Sequence, residues 1–221
     1  MIIVHHLEDS RSQRVLWCLE ELGVDYDIKH YKRDAATRLA PESLKKVHPL
    51  GKSPVIEDRG QIIAETGAII EYIADTYGRG AMKPDAAAPG YRDYIYWMHF
   101  AEGSLMPQLL LKLFFTRIKE TKMPFFAKPI AAGIANKVLK SYVDPNLKTQ
   151  MSFINSQLAD RAWFAGDDLT GADIMMSFPL EAAQARGALG GFSAINAYVE
   201  KIHERPAYQR ALSRGGPYSL S

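Results

Sequence analysis

Pro54, set directly before the branched pair Val55-Ile56, constrains this chain more than any other residue. A sheet tolerates proline only at a first position or an edge, so a strand over residues 55–58 must begin there. Ser53 before it is pushed to an extended conformation. With a cis Ser53-Pro54 bond, the turn presents the backbone N–H and C=O of Ser53 outward, free to pair with another extended chain. A second strand, Gln61–Ala64, then gives way at Glu65-Thr66 to a helix over Thr66–Tyr77. Free N–H groups and the positive end of that helix attract a carboxylate, and Glu65 adds an acceptor for an ammonium. A strand-like edge, an anion pocket and an acid thus share one site.

The segments around this turn set the fold class. Ile2–Leu7 reads as a strand, Ser12–Leu22 as a helix, Tyr26–Tyr31 as a strand, and Pro41–Val47 as a looser stretch with a short helix. The first helix repeats apolar residues at Val15, Leu16, Leu19 and Leu22, near period 3.6, with Arg14, Glu20 and Glu21 on the other face and Gly23 as its C-cap. Strand, helix, strand, then hairpin and helix, is the order of a thioredoxin-like fold, and right-handed crossover makes the first two strands parallel.

From Gly78 to Gly90 glycine, proline and alanine break every periodicity, as in an interdomain linker. No strand pattern follows. Tyr91 to about Lys119 reads as one long helix that tolerates Pro107 with a kink or local break. Pro124 and Pro129 interrupt the next segment, Pro145 opens a fresh helix, and Ala172–Arg186, Gly191–Glu204 and Ala207–Leu212 complete the set. The expected class is therefore α/β plus all-α: a thioredoxin-like domain over 1–78, a linker over 79–90 and an all-helical domain over 91–221. Thr170-Gly171-Ala172-Asp173 carries the capping-box pattern, which makes Thr170 and Asp173 structural residues.

Three motifs, in order and spacing, resemble the soluble glutathione transferases. They are the turn His48-Pro49-Leu50-Gly51-Lys52-Ser53-Pro54 followed by Glu65-Thr66, the stretch Val4 to Leu22, and Trp163-Phe164-Ala165-Gly166-Asp167-Asp168-Leu169-Thr170-Gly171-Ala172-Asp173-Ile174. The resemblance spans essentially the whole chain and is nearest to serine-type bacterial and fungal members. It implies a transferase that activates the thiol of bound glutathione for attack on a small hydrophobic electrophile, in detoxification. Ser53 would pair its backbone with the cysteinyl part, Glu65 and Thr66 would hold the γ-glutamyl group, and Lys52 would lie near a carboxylate. A homodimer is implied too. A glutathione-dependent peroxidase, a disulfide reductase and a non-catalytic interaction module are the alternatives.

The thiolate is the reactive form of a thiol, so the site must lower a pKa near 9. Glu8-Asp9-Ser10-Arg11-Ser12 is the stretch that would do so, with Ser10 as the expected hydroxyl donor and Ser12 as its rival. An ungapped count back from Val15 puts Asp9 in the column of the catalytic hydroxyl, and a carboxylate there would oppose a thiolate. A turn shifted by one residue restores Ser10, and a backbone N–H of the same turn is the other solution.

The remaining residues point elsewhere. Cys18, the single cysteine, sits between Trp17 and Leu19 inside a helix and reads as core packing. One cysteine forms no intramolecular disulfide and suits a reducing, cytoplasmic compartment. His5 and His6 face opposite ways on a strand, which argues against a metal. Tyr94, Trp97, Met98, Phe100 and Met106 read as core before pocket lining. A formal net charge of +2 makes no case for nucleic acid or an anionic membrane as partner.

Overall fold

The computed structural model describes residues 1–216 and 218–220. β1 (Ile2–Leu7) pairs in parallel with β2 (Tyr26–Tyr31) and antiparallel with β3 (Val55–Asp58), which pairs antiparallel with β4 (Gln61–Ala64). The sheet order is β2-β1-β3-β4, with Val4 in register with Ile28 on one side and Ile56 on the other. A parallel pair needs a crossover connection, and α1 (Ser12–Leu22) supplies it. Gly23, at φ 61°, closes that helix in the left-handed conformation, and the Val24 N–H donates to the Leu19 carbonyl at 3.0 Å. With α2 (Thr66–Tyr77) this is the thioredoxin-like arrangement.

Helices follow: α3 (Tyr91–Phe100), α4 (Met106–Glu120), α5 (Lys128–Val138), α6 (Asp144–Ala159), α7 (Gly171–Ala185), α8 (Ser193–His203) and α9 (Pro206–Gly215). One of the two proline irregularities agrees with the sequence reading and the other needs correction. The break before Pro107 is a π turn, Ala101–Leu105, and a second π turn, Leu139–Val143, joins α5 to α6 so that Pro145 opens no separate helix. Each π turn closes with an N–H reaching five residues back, Met106 to Ala101 and Asp144 to Leu139. The widened turn takes up the proline ring and the donor it lacks, so the helix runs on.

The outer face of α1 also departs from its amphipathic reading. Arg14 is buried, and Glu20 and Glu21 face α9: Arg210 and Arg214 pair with Glu20, and Arg205 pairs with Glu21 at 2.5 Å. A C-terminal helix therefore covers the first helix, and the apolar core runs unbroken from Ile2 and Val4 through α1 and α7 to Ala211. Close approach at the α7 start explains Gly171, where a Cβ would stand 2.8 Å from Ile70 Cγ2.

The capping segment holds that start in place. Asp173, fully buried, accepts from the backbone N–H groups of Thr170 (2.8 Å) and Phe164 (2.9 Å) and from the hydroxyls of Thr170 and Tyr198. Thr170→Ala should lower stability by about 0.5–2 kcal/mol, read as a shifted urea midpoint with an unaltered far-ultraviolet spectrum.

His6 couples the fold to pH. Its ring meets Ser12 Oγ at 2.9 Å and the edge of His30. Burial first, then the neighbouring His30, pushes its pKa down from 6.5 to about 4, against a hydrogen bond with the Gly215 backbone. The unfolded chain thus binds a proton where the folded one does not. Stability present above about pH 6.5 should be lost as pH falls toward about 4, by about 3 kcal/mol in total. Urea unfolding of the parent and of His6→Asn across that range checks this, since the variant should lack that part of the slope.

Candidate functional site

A cleft of about 560 Å³ opens where the two halves of the chain meet. The turn before β3 lends it Lys52, Ser53 and Pro54, the start of α2 lends Glu65 and Thr66, and the start of α1 lends Arg11. Met98, His99, Glu102 and Gly103 enter from α3 and its π turn, and Met175 from α7. Lys52, Ser53, Glu65 and Thr66 therefore stand on one cleft, while Ser10 does not line it.

Ser53 is fixed by its side chain, which leaves its backbone open. Its hydroxyl donates to the His5 carbonyl at 2.8 Å and accepts the Leu7 N–H at 3.3 Å, pinning the turn to β1. The Ser53-Pro54 bond is cis. Among the described residues neither the N–H nor the C=O of Ser53 has a hydrogen-bond partner, so the turn ends in an unpaired edge beside the cleft.

Glu65 stands at φ 73°, ψ 125°, a region that non-glycine residues occupy only at a cost of about 1–3 kcal/mol. Its carbonyl accepts the Ile69 N–H at 2.9 Å, the first bond of α2. The N–H groups of Thr66, Gly67 and Ala68 are thus free of intrahelical partners, a set of donors reinforced by the helix dipole. The Glu65 side chain is exposed and has no ion-pair partner among the described residues.

Behind Thr66 lies the group that organises the site. The Arg14 guanidinium, 1% exposed, donates to Glu102 Oε1 at 2.6 Å, to the Met175 carbonyl at 2.7 Å and to Thr66 Oγ1 at 3.4 Å. The Met175 carbonyl is available because Pro179, four residues on inside α7, has no N–H to give it. Arg11 reaches the same carboxylate at 3.0 Å, and both guanidiniums lie over the Phe178 ring. Burial pushes the Glu102 carboxyl up, but Arg14 and Arg11 together outweigh it and hold it below the usual carboxylate range.

In the stretch expected to activate a thiol, both serine hydroxyls are engaged at the end of β1. Ser10 is buried; its Oγ donates to the Leu7 carbonyl at 2.7 Å and lies 2.7 Å from Ser12 Oγ, which meets His6. Both hydroxyls face β1. The backbone N–H groups of Ser10 and Arg11 have no hydrogen-bond partner among the described residues. Cys18 is fully buried, and burial lifts its thiol to about 12, which leaves it unreactive. His5 and His6 bond to opposite surroundings, His5 to Tyr31 and Glu57 and His6 to Ser12.

Sequence reasoning missed Arg11, Arg14 and Met175. The signal for Arg14 was a charge on a helix with no nearby acid, and the partner that buries it comes from position 102. Of the aromatic and methionine series only Met98 reaches the cleft; Tyr94, Trp97 and Met106 are core, and Phe100 is half-buried in an aromatic cluster with Trp97 and Phe153.

Comparison with known proteins agrees over most of the chain. The family model for the glutathione S-transferase N-terminal domain matches residues 1–75, and that for the C-terminal domain residues 112–206. Glutathione S-transferase 1 of Saccharomyces cerevisiae is 34% identical over 217 residues, covering 94% of this chain and 92% of that protein. Glutathione S-transferase 3 of Schizosaccharomyces pombe is 34% identical over 216 residues, covering 97% and 88%. The crystal structure of a glutathione S-transferase from Actinobacillus pleuropneumoniae superposes with a TM-score of 0.80 at 32% identity, covering 100% of this chain and 95% of that one.

Glu102→Gln should leave a buried guanidinium without its counter-charge. The expected loss is about 1–3 kcal/mol, moderated because the carboxylate is partly solvated. Arg11→Gln, which removes a surface partner, should cost less. Thermal unfolding of both variants checks the order, and equal losses would show that Arg14 leans on the Met175 carbonyl alone.

Proposed function

Because the chain belongs to the glutathione S-transferase family and acts as a glutathione transferase, we propose that its cleft takes glutathione as an extended chain along the Ser53 edge. The observation that carries this is the unpaired Ser53 backbone standing across one cleft from the open N-terminus of α2. Glutathione has two carboxylates, one ammonium and a peptide backbone between them. The cysteinyl backbone pairs with Ser53, in the manner of an added strand. The γ-glutamyl carboxylate lies on the N–H groups and hydroxyl around Thr66, the ammonium on Glu65, and the glycyl carboxylate toward Lys52.

In this pose the sulfur meets the start of α1. Since the Ser10 hydroxyl is spent on the Leu7 carbonyl, the arrangement favours the backbone solution. The Arg11 N–H, at an open helix N-terminus, and the Arg11 guanidinium stabilise the thiolate. The lone pair on sulfur then attacks an electrophilic carbon to form the S–C bond, while the displaced electron pair leaves with the departing group or moves onto the rest of the acceptor. The electrophile is a small hydrophobic molecule on the Met98 and Met175 side. The division into residues 1–78, 79–90 and 91–221, a homodimer, a cytoplasmic setting and a part in detoxification belong to the same proposal.

Three measurements test it. Retention on immobilised glutathione, with conjugation of an aryl halide, checks the activity at this cleft. Glu65→Gln should weaken glutathione binding in calorimetric titration by about 1.5–3 kcal/mol while the fold survives; an unchanged Kd removes Glu65 from the ammonium. Titration of the thiolate absorbance of bound glutathione separates the activators. Arg11→Ala should raise the thiol pKa and Ser10→Ala should leave it unmoved, and the reverse outcome would return the role to the Ser10 hydroxyl.

A further inference from the structure

The bulk charge of +2 conceals an uneven distribution. Between residues 113 and 143, across the α4–α5 hairpin, stand Arg117, Lys119, Lys122, Lys128, Lys137 and Lys140 against Glu120 alone. That is an excess of five positive charges, which leaves the rest of the chain net acidic. None of the six cations is in an ion pair among the described residues; Lys119 reaches only the Asn136 side-chain amide.

The tip of the same hairpin is apolar and uncovered. Phe125 and Phe126, in the loop between α4 and α5, are 87% and 65% exposed, and their rings pack edge-on against each other. Ile130 and Ile134, one turn apart on α5, are exposed as well. Exposed aromatic pairs of this kind mark a surface that meets something apolar. The lysines supply flexible stems with charged heads that stay in water while apolar neighbours sink.

We propose that the α4–α5 hairpin tip docks on anionic lipid bilayers, Phe125 and Phe126 entering the headgroup boundary and the surrounding cations resting on acidic headgroups. Two features favour this occupant over a second copy of the chain. A two-fold contact through this tip would set the same patch against itself and oppose five excess charges with five. Aromatic rings at a loop tip flanked by Lys122 and Lys128 match the layered polarity of a bilayer surface. No helix among the described residues is long and apolar enough to cross a membrane, so the contact is a surface one. The inference does not rest on the cleft.

Co-sedimentation of the full chain with vesicles tests it. On phosphatidylcholine vesicles containing about a third phosphatidylserine, the protein should pellet at low salt, with weak partition onto phosphatidylcholine alone and release at about 0.5 M salt. Phe125→Ser with Phe126→Ser, and separately Lys122→Glu with Lys128→Glu, should each lower partition about tenfold or more. Conjugation of an aryl halide in solution should be unchanged in both, which controls for folding. Absence of binding to the acidic vesicles, or equal binding by the phenylalanine variant, overturns the proposal. So does a fall of that variant from dimer to monomer in sedimentation velocity, which would make the tip a subunit contact.

Discussion

The Arg14 guanidinium is the interaction on which the site depends. It is a buried charge, costly unless paired and hydrogen-bonded, and both of its terminal nitrogens are so engaged while Nε has no partner among the described residues. Its partners arrive from three separate elements: the π turn through Glu102, α7 through the Met175 carbonyl, and α2 through Thr66. Two of them were made available by a local irregularity. Pro179 withholds a donor and so frees Met175, and the π turn Ala101–Leu105 carries Glu102 at the cleft wall. Irregular backbone of this kind gathers at functional sites because the surrounding packing can sustain it.

The cleft built on this anchor relies more on main chain than on side chains. The Ser53 hydroxyl is spent inward on β1 and Thr66 Oγ1 accepts from Arg14, so most of what faces a ligand is the backbone edge and the helix N-terminus. Such donors are rigid, and a bound peptide meets them already aligned. Their positions follow from the turn at Pro54 and the left-handed Glu65, which is why these two residues matter although neither hydroxyl nor amine is theirs.

What could be read from residues alone divides along the range of the interactions. The strands and helices of the first 77 residues followed from periodicity, Gly23 and Pro54, because each is decided within a few positions. Ser53, Glu65 and Thr66 were legible for the same reason, as turn and helix-start chemistry. Arg14 was misread because its partners lie 52, 88 and 161 residues away. The Pro145 break was misread because proline alone does not reveal that a π turn has been inserted before it. Ser10 was reached by assuming a turn shifted one residue from Asp9, and the direction of its hydroxyl depends on the Leu7 carbonyl that it meets. Net charge, being a sum, erased the contrast between the α4–α5 hairpin and the rest of the molecule.

The cover that α9 places over α1 ties the order of synthesis to the order of assembly. The thioredoxin-like half leaves the ribosome first, yet Glu20 and Glu21 meet their arginines only when residues 205–214 have emerged. Until then the outer side of α1 is bare, and before α7 emerges Arg14 lacks the Met175 carbonyl as well. The early half is therefore a nascent intermediate with one helix unsheathed, of the sort that chaperones hold. Completion of the first domain therefore waits on α9.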